Sequence, residues 1–187
     1  MAAINLTGKA LVNVVRVEVV TEETTPKTYR LGTSDKANAK PKVSQGKEEI
    51  LRVKNQILAL DKTEDIVVGY DVDFENALMA PELFALIDGG TLTYDPVETT
   101  KVTKYDAPTQ GVAVSRTPFT LNIFTEEKET DGSILGYAKF AFAHCKGKPV
   151  DYQFEDGKFT ASKLEMESRA KKNEKPVTIE FLDELPA

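Results

Sequence analysis

The segment Asp65–Gly90, DIVVGYDVDFENALMAPELFALIDGG, holds a strand, a bend and a short helix in one run. Ile66, Val68, Tyr70, Val72 and Phe74 alternate with Val67, Gly69, Asp71, Asp73 and Glu75. Successive side chains of a strand point to opposite faces, so this run has one apolar face and one that is largely acidic. Pro81 then opens a helix, because its missing N–H would be unpaired in the first turn in any case. Leu83, Phe84, Leu86 and Ile87 give that helix an apolar packing stripe, and Gly89 and Gly90 supply the backbone freedom its C-terminus needs. The segment therefore predicts a half-buried strand that delivers a short helix onto a sheet.

Working outward, the chain before this segment reads as strands with one open stretch. Residues 10–20, ALVNVVRVEVV, are rich in β-branched side chains and predict a strand, and Thr28 to Gly32 predicts a shorter one. Thr33 to Gly46, TSDKANAKPKVSQG, is small, polar and basic, and is expected to protrude as a loop. Glu48 to Leu60 predicts one strand, with Leu51, Val53, Ile57 and Ala59 on one face and Asn55 as an interruption. Asp61 to Glu64 is read as the turn that pairs this strand with the next in a long antiparallel hairpin.

Beyond the helix, Thr91–Tyr94 and a stretch near Lys101–Tyr105 predict short strands. Phe119, Leu121, Ile123 and Thr125 alternate, and Asp131-Gly132 signals a turn into a strand over Ile134 to Cys145. On that strand simple alternation places His144 on the Phe140/Phe142 face. Tyr152 to Phe154 and Phe159 to Arg169, about the Asp156-Gly157 turn, predict another hairpin, and Val177, Ile179 and Phe181 a last strand. Seven to nine strands joined mostly by hairpins, with one clear helix, predict a mainly β chain: an antiparallel sandwich or barrel with one flanking α-helix. No domain boundary is evident, so residues 1–187 are read as a single domain with a protruding loop at about 33–46.

Composition narrows the function classes. The 187 residues carry a net charge of −6, which disfavours nucleic-acid binding over the whole surface. Between Lys27 and Lys54, however, eight basic residues face three acidic ones, leaving the rest of the chain at −11. No run approaches the roughly 20 apolar residues of a membrane span, and residues 1–12 lack the apolar core of a secretory leader, so neither anchor nor leader is expected. A single cysteine excludes an internal disulfide and fits a reducing cytosol. Asp71, Asp73 and Glu75 lie about 7 Å apart along a strand, too spread for a divalent cation without further ligands. His144 and Cys145, as adjacent strand residues, point apart and do not make an activated thiol. Phosphate-cradling glycine motifs are absent. The residue inventory thus predicts a structural or binding protein with no catalytic residues, no metal and no cofactor.

Three stretches, Leu51–Ala59 (LRVKNQILA), Lys62–Val72 (KTEDIVVGYDV) and Ala80–Gly90 (APELFALIDGG), resemble the tail tube, or major tail, proteins of phages that infect Gram-positive bacteria. The resemblance implies the tail tube fold, six copies per ring, and rings stacked into a hollow tube that conducts the genome on ejection. It implies an extended loop reaching an adjacent ring, for which Lys36, Lys40 and Lys42 are the candidate contacts. The acidic face of Asp71, Asp73 and Glu75 becomes a candidate lining of the inner barrel, and Leu83, Phe84, Leu86 and Ile87 the helix packing. Implied partners are further copies of the chain, tape measure protein and DNA passing through the lumen, tail terminator and baseplate or distal tail proteins, and a sheath if the tail contracts. The implied location is the virion tail, after synthesis in the host cytoplasm. Two alternatives stay open: the tube subunit of a phage-tail-like bacteriocin or injection particle, and an adhesin-like β-sandwich that binds a ligand through its loops.

Overall fold

A computed structural model describes residues 7–32, 34–152, 154–157 and 162–186. Among them are twelve strands and one helix: β1 (Leu11–Thr21), β2 (Thr28–Leu31), β3 (Ser34–Ser44), β4 (Glu48–Val53), β5 (Gln56–Lys62), β6 (Ile66–Asn76), α1 (Pro81–Asp88), β7 (Thr91–Tyr94), β8 (Val102–Asp106), β9 (Phe119–Lys128), β10 (Ile134–Gly147), β11 (Ser162–Ser168) and β12 (Val177–Leu182). The main sheet runs β2-β1-β9-β10-β11-β6-β3, with β12 on β10; β4-β5 and β7-β8 are separate two-stranded sheets. All pairings are antiparallel. The mainly β class and the single flanking helix match the expectation from sequence.

The sheet closes around one core. Val17 and Val19 of β1, Leu121 of β9, Phe142 of β10, Leu164 and Met166 of β11, and Val72 and Phe74 of β6 form one cluster with Leu83, Phe84 and Ile87 of α1. β11 alternates strictly, with Ser162, Leu164, Met166 and Ser168 inside and the residues between them half-exposed, the period-two burial of a one-sided sheet. β9 is buried on both faces, because Arg16 lies over the outer face of Phe124, 4.6 Å from its centroid, and donates through Nη1 to Pro186 O at 2.9 Å.

α1 behaves as its sequence predicts. Pro81 occupies its first turn, and Gly89 ends it at φ 84, donating to Ala85 O at 3.0 Å. Leu83, Phe84 and Ile87 are fully buried and Leu86 is half-buried against them. Gly147 of β10 passes so close that a Cβ there would lie 2.1 Å from Ile87 O.

Three local expectations are corrected, and a fourth is described only in part. First, residues 34–44 are not an open loop: they form β3, in register with β6 from Ser34↔Asn76 to Ser44↔Ile66. Its lysines and Pro41 suit an edge strand, where a missing N–H breaks no ladder; Thr33 lies outside the described residues. Second, Glu48 to Leu60 is not one strand. The chain reverses at Lys54-Asn55, with Lys54 at φ 53, and β4 pairs with β5. Third, a bulge between Phe142 and Cys145, with His144 at φ 50, resets the alternation of β10. Cys145 therefore enters the core and His144 points outward. Fourth, β11 pairs with β6 and with the end of β10. The predicted hairpin across Asp156-Gly157 is described only as an isolated bridge, Asp151↔Lys163, because Gln153 and residues 158–161 lie outside the described set.

At the β10 bulge one border changes neighbour. Tyr137–Phe142 pairs with β12, whereas Cys145–Gly147 pairs with β11. The buried Ser168 hydroxyl sits at the fork and donates to Ala143 O at 2.7 Å. Among the described residues no helix is long and apolar enough to cross a membrane.

Candidate assembly surface

β3 to β6 is one long hairpin with a neck. β3 and β6 are paired as far as Ser44↔Ile66; three residues on each strand then intervene before β4 and β5 resume at Glu48↔Lys62. The neck is tied by Thr63 N–H to Lys47 O at 2.9 Å, Lys47 N–H to Thr63 Oγ1 at 2.7 Å and Gly46 N–H to Asp65 Oδ1 at 2.8 Å. Past it, every residue of β4 and β5 is exposed. At about 3.3 Å per residue, Val43 to Val53 reaches on the order of 30 Å.

This arm is apolar on both faces. Ile50 pairs with Leu60 and Leu51 with Ala59, adjacent positions that point opposite ways. Ile50, Leu51, Val53, Ile57, Leu58 and Leu60, with Val43, Ile66, Val67 and Val68 at the root, are 43–64% exposed. Between Lys42 and Asp65 five basic residues balance five acidic ones, so the arm has no net charge. A two-stranded hairpin alone is marginal in water, and an uncharged apolar one with free edges is a pairing template. If each of these ten side chains is half-exposed and full burial of one is worth about 1.5–3 kcal/mol, covering the arm yields roughly 10 kcal/mol. That is comparable to the ~4–15 kcal/mol that association costs.

Lys36, Lys40 and Lys42, expected on a loop, lie on β3 beside the carboxylates of β6. Lys36 Nζ is 3.9 Å from Glu75, Lys40 is in register with Asp71, and Lys42 donates to Glu167 at 2.7 Å. The Lys42 bond, with Arg169 beyond it, holds the Glu167 carboxyl below its ordinary pKa. Asp71, Asp73 and Glu75 share a sheet face as predicted, but that face is not an acidic strip. Asp71 stands opposite Glu167 and Asp73 opposite Glu165, pairings that repel unless bridged. Lys148 bridges to Asp71 at 2.9 Å, a bond that raises the lysine's pKa, and Lys163 lies 4.0 Å from Asp73 and 2.6 Å from Glu165. Counting Lys36, Lys40 and Lys42, the five carboxylates have five lysines among them.

His144 and Cys145 are held apart. Glu22 accepts from the His144 backbone N–H at 3.0 Å, and His144 Nδ1 lies 2.8 Å from its other oxygen. Partial burial pushes the Glu22 carboxyl up, but the bonds from His144 outweigh it and hold the pKa below its ordinary value. Burial pushes the Cys145 thiol up to about 12.

The arm tip is what sequence reading missed. The available signal was the run ILALD after VKNQ: apolar residues at consecutive positions past a polar pair, which is poor alternation for one half-buried strand but natural for a turn followed by a two-faced one.

No protein-family model matches the sequence, and no curated protein matches it. A chain of the cryo-EM structure of the anti-feeding prophage (AFP) baseplate, 6-fold symmetrised, is similar over 95% of this chain and 97% of that one, at 9% identity and a TM-score of 0.41. A likeness at that level carries no argument about function.

Proposed function

We propose that the chain is a non-enzymatic structural subunit of a phage tail or phage-tail-like particle: a tube protein that self-assembles into six-membered rings, stacked as a hollow conduit for the genome. The observation that supports this is the arm, ten half-exposed large apolar side chains on a projecting hairpin with no net charge. Such a surface suits a permanent partner better than a transient ligand. Six copies, stacking and genome passage come from the resemblance of Leu51–Ala59, Lys62–Val72 and Ala80–Gly90 to tail tube proteins, as do tape measure, terminator, baseplate and sheath partners.

Negative-stain microscopy and sedimentation of the purified chain across a wide concentration range test the reading. Annular six-fold particles or tubes are expected; a monodisperse monomer throughout overturns it. In the assembled tube the charge-balanced face around Asp71, Asp73 and Glu75 is the candidate channel wall, since a surface without net charge does not hold phosphates. Replacing all three with lysine is expected to slow DNA passage, and ejection at the native rate would place that face elsewhere.

A further inference from the structure

The last strand leaves a border of the main sheet open. Among the described residues β12 pairs with β10 and with no other strand, so its far side is a free edge. Edge strands are ordinarily blunted by lysines, proline or bulges. β3, another edge of the same sheet, carries Pro41 and the lysines Lys36, Lys40 and Lys42. β12, VTIEFL, has no lysine, no proline and an unbroken register, and its one charged side chain, Glu180, is tied to Lys139 at 3.0 Å. We propose that this edge is a docking site for a second copy of the chain, β12 pairing antiparallel with its own counterpart about a two-fold axis at Ile179. The inference goes beyond the tube reading and does not depend on the arm.

The ladder itself shows which groups face outward. Ala143 N–H donates to Pro176 O at 3.3 Å, just before β12 begins. Antiparallel alternation then turns the peptide groups of Thr178, Glu180 and Leu182 toward β10, and those of Val177, Ile179 and Phe181 toward the open edge. The side chains of these last three share the sheet face of Phe142, Phe140 and Ala138, their cross-strand neighbours. Ile179 is 49% and Phe181 58% exposed, although Phe142 and Ala138 opposite them on β10 belong to the interior. Unpaired backbone donors and acceptors, with apolar side chains at alternate positions, are what the addition of a strand requires.

The sequence of β12 complements itself in one register. With Ile179 opposite Ile179 of the second copy, Val177 meets Phe181 on either side, and these pairs exchange about six backbone hydrogen bonds. Thr178 then faces Glu180, whose carboxylate Lys139 already neutralises. Beyond the strand Lys175 comes opposite Asp183 at both ends; both are exposed, and neither pairs with a charge in its own chain. Two opposite-charge pairs therefore lock the register. Moving the axis to Glu180 sets the two carboxylates of that residue against each other, and moving it to Thr178 puts Lys175 opposite Phe181. A two-fold contact of this kind closes on itself, so it gives a dimer and not a ring. It covers an otherwise undefended edge in copies that have not joined a larger assembly.

The test uses the full-length chain with one cysteine added at a time and mild oxidation; Cys145 is buried and does not compete. Residues opposed across the axis lie about 5.5 Å apart at Cα, within the roughly 4.4–6.8 Å that a disulfide spans. Ile179→Cys is therefore expected to give a disulfide-linked dimer. Val177→Cys or Phe181→Cys alone places its two thiols about 13 Å apart along the strands and should give none, whereas a mixture of those two variants should cross-link. An Ile179→Cys chain that stays monomeric, or cross-linking by Phe181→Cys alone, overturns the proposal. Sedimentation equilibrium reads the charge pairs: Lys175→Asp should weaken dimerisation about fivefold, and Lys175→Asp/Asp183→Lys should restore it. A double variant as weak as the single one would refute the register. Rings or tubes without an Ile179→Cys cross-link sink this contact and leave the tube reading standing; a cross-linked dimer from a chain that forms no rings does the reverse.

Discussion

Replacing Leu51 and Leu58 together with threonine tests the arm most directly. The two side chains are 57% and 60% exposed, so each has more than half of its burial still to gain. With full burial of a leucine worth about 1.5–3 kcal/mol, each substitution forfeits about 1 kcal/mol of contact, and the pair about 2 kcal/mol. At about 1.4 kcal/mol per tenfold, association at each contact should weaken roughly 30-fold. Threonine is β-branched, as strands favour, so β4 and β5 should still form. Neither side chain belongs to the core, and the stability of the single chain should move by no more than about 0.5 kcal/mol, as for surface changes generally. Sedimentation equilibrium measures the first quantity, and urea unfolding at a concentration where the chain is monomeric the second. Association unchanged within about twofold would refute the reasoning, because a contact surface cannot lose two of its apolar groups without cost. A large fall in the urea midpoint would refute it differently, by showing that the arm is packed in the single chain.

Three further outcomes follow from the body of the fold. Gly147→Ala drives a Cβ to within 2.1 Å of Ile87 O, a backbone atom that cannot swing aside; a loss of about 1–3 kcal/mol, read from urea midpoints, is expected. Glu22 has a lower pKa folded than unfolded, so the folded state binds fewer protons. Its contribution is complete above its ordinary value of 4.5 and fades as pH falls through the folded value; Glu22→Gln should flatten stability against pH in that acid range. Cys145, buried and with its thiol raised to about 12, should resist a thiol reagent in the native chain and react once the chain is unfolded in urea; prompt native reaction would contradict its place in the core.

What the sequence disclosed depended on whether the deciding interaction was local. The β6–α1 unit was legible because alternation, Pro81 and the Gly89 cap act within a few residues of one another. β3 was not: residues 34–44 have almost nothing to bury, and they become a strand because β6 offers an open edge that they complete. The Lys54-Asn55 reversal lacks the glycine that marks most two-residue turns, so the signs were the break in apolar alternation at Asn55 and the consecutive apolar residues after it. The bulge at His144 is set by a contact far away in sequence, Glu22 gripping both the backbone and the ring of that residue. The opposed carboxylates of β6 and β11 were hidden for the same reason, and so were the lysines that neutralise them. As for the assembly surface, its residues were visible but were read as one continuous strand with a single apolar face, because exposure of an apolar run is a property of the fold around it.

The fork in β10 bears on how this chain tolerates changes in length. β12 stops and β11 starts at one point on a common border, and the turn that joins them must begin and end there. Removing a single residue from the bulge would send Cys145 to the exterior and throw two neighbours out of step at once, whereas extra residues at the tip of the arm leave the core in register. Insertional libraries scored for folding of the single chain should accordingly find residues 142–147 intolerant and residues 53–56 permissive.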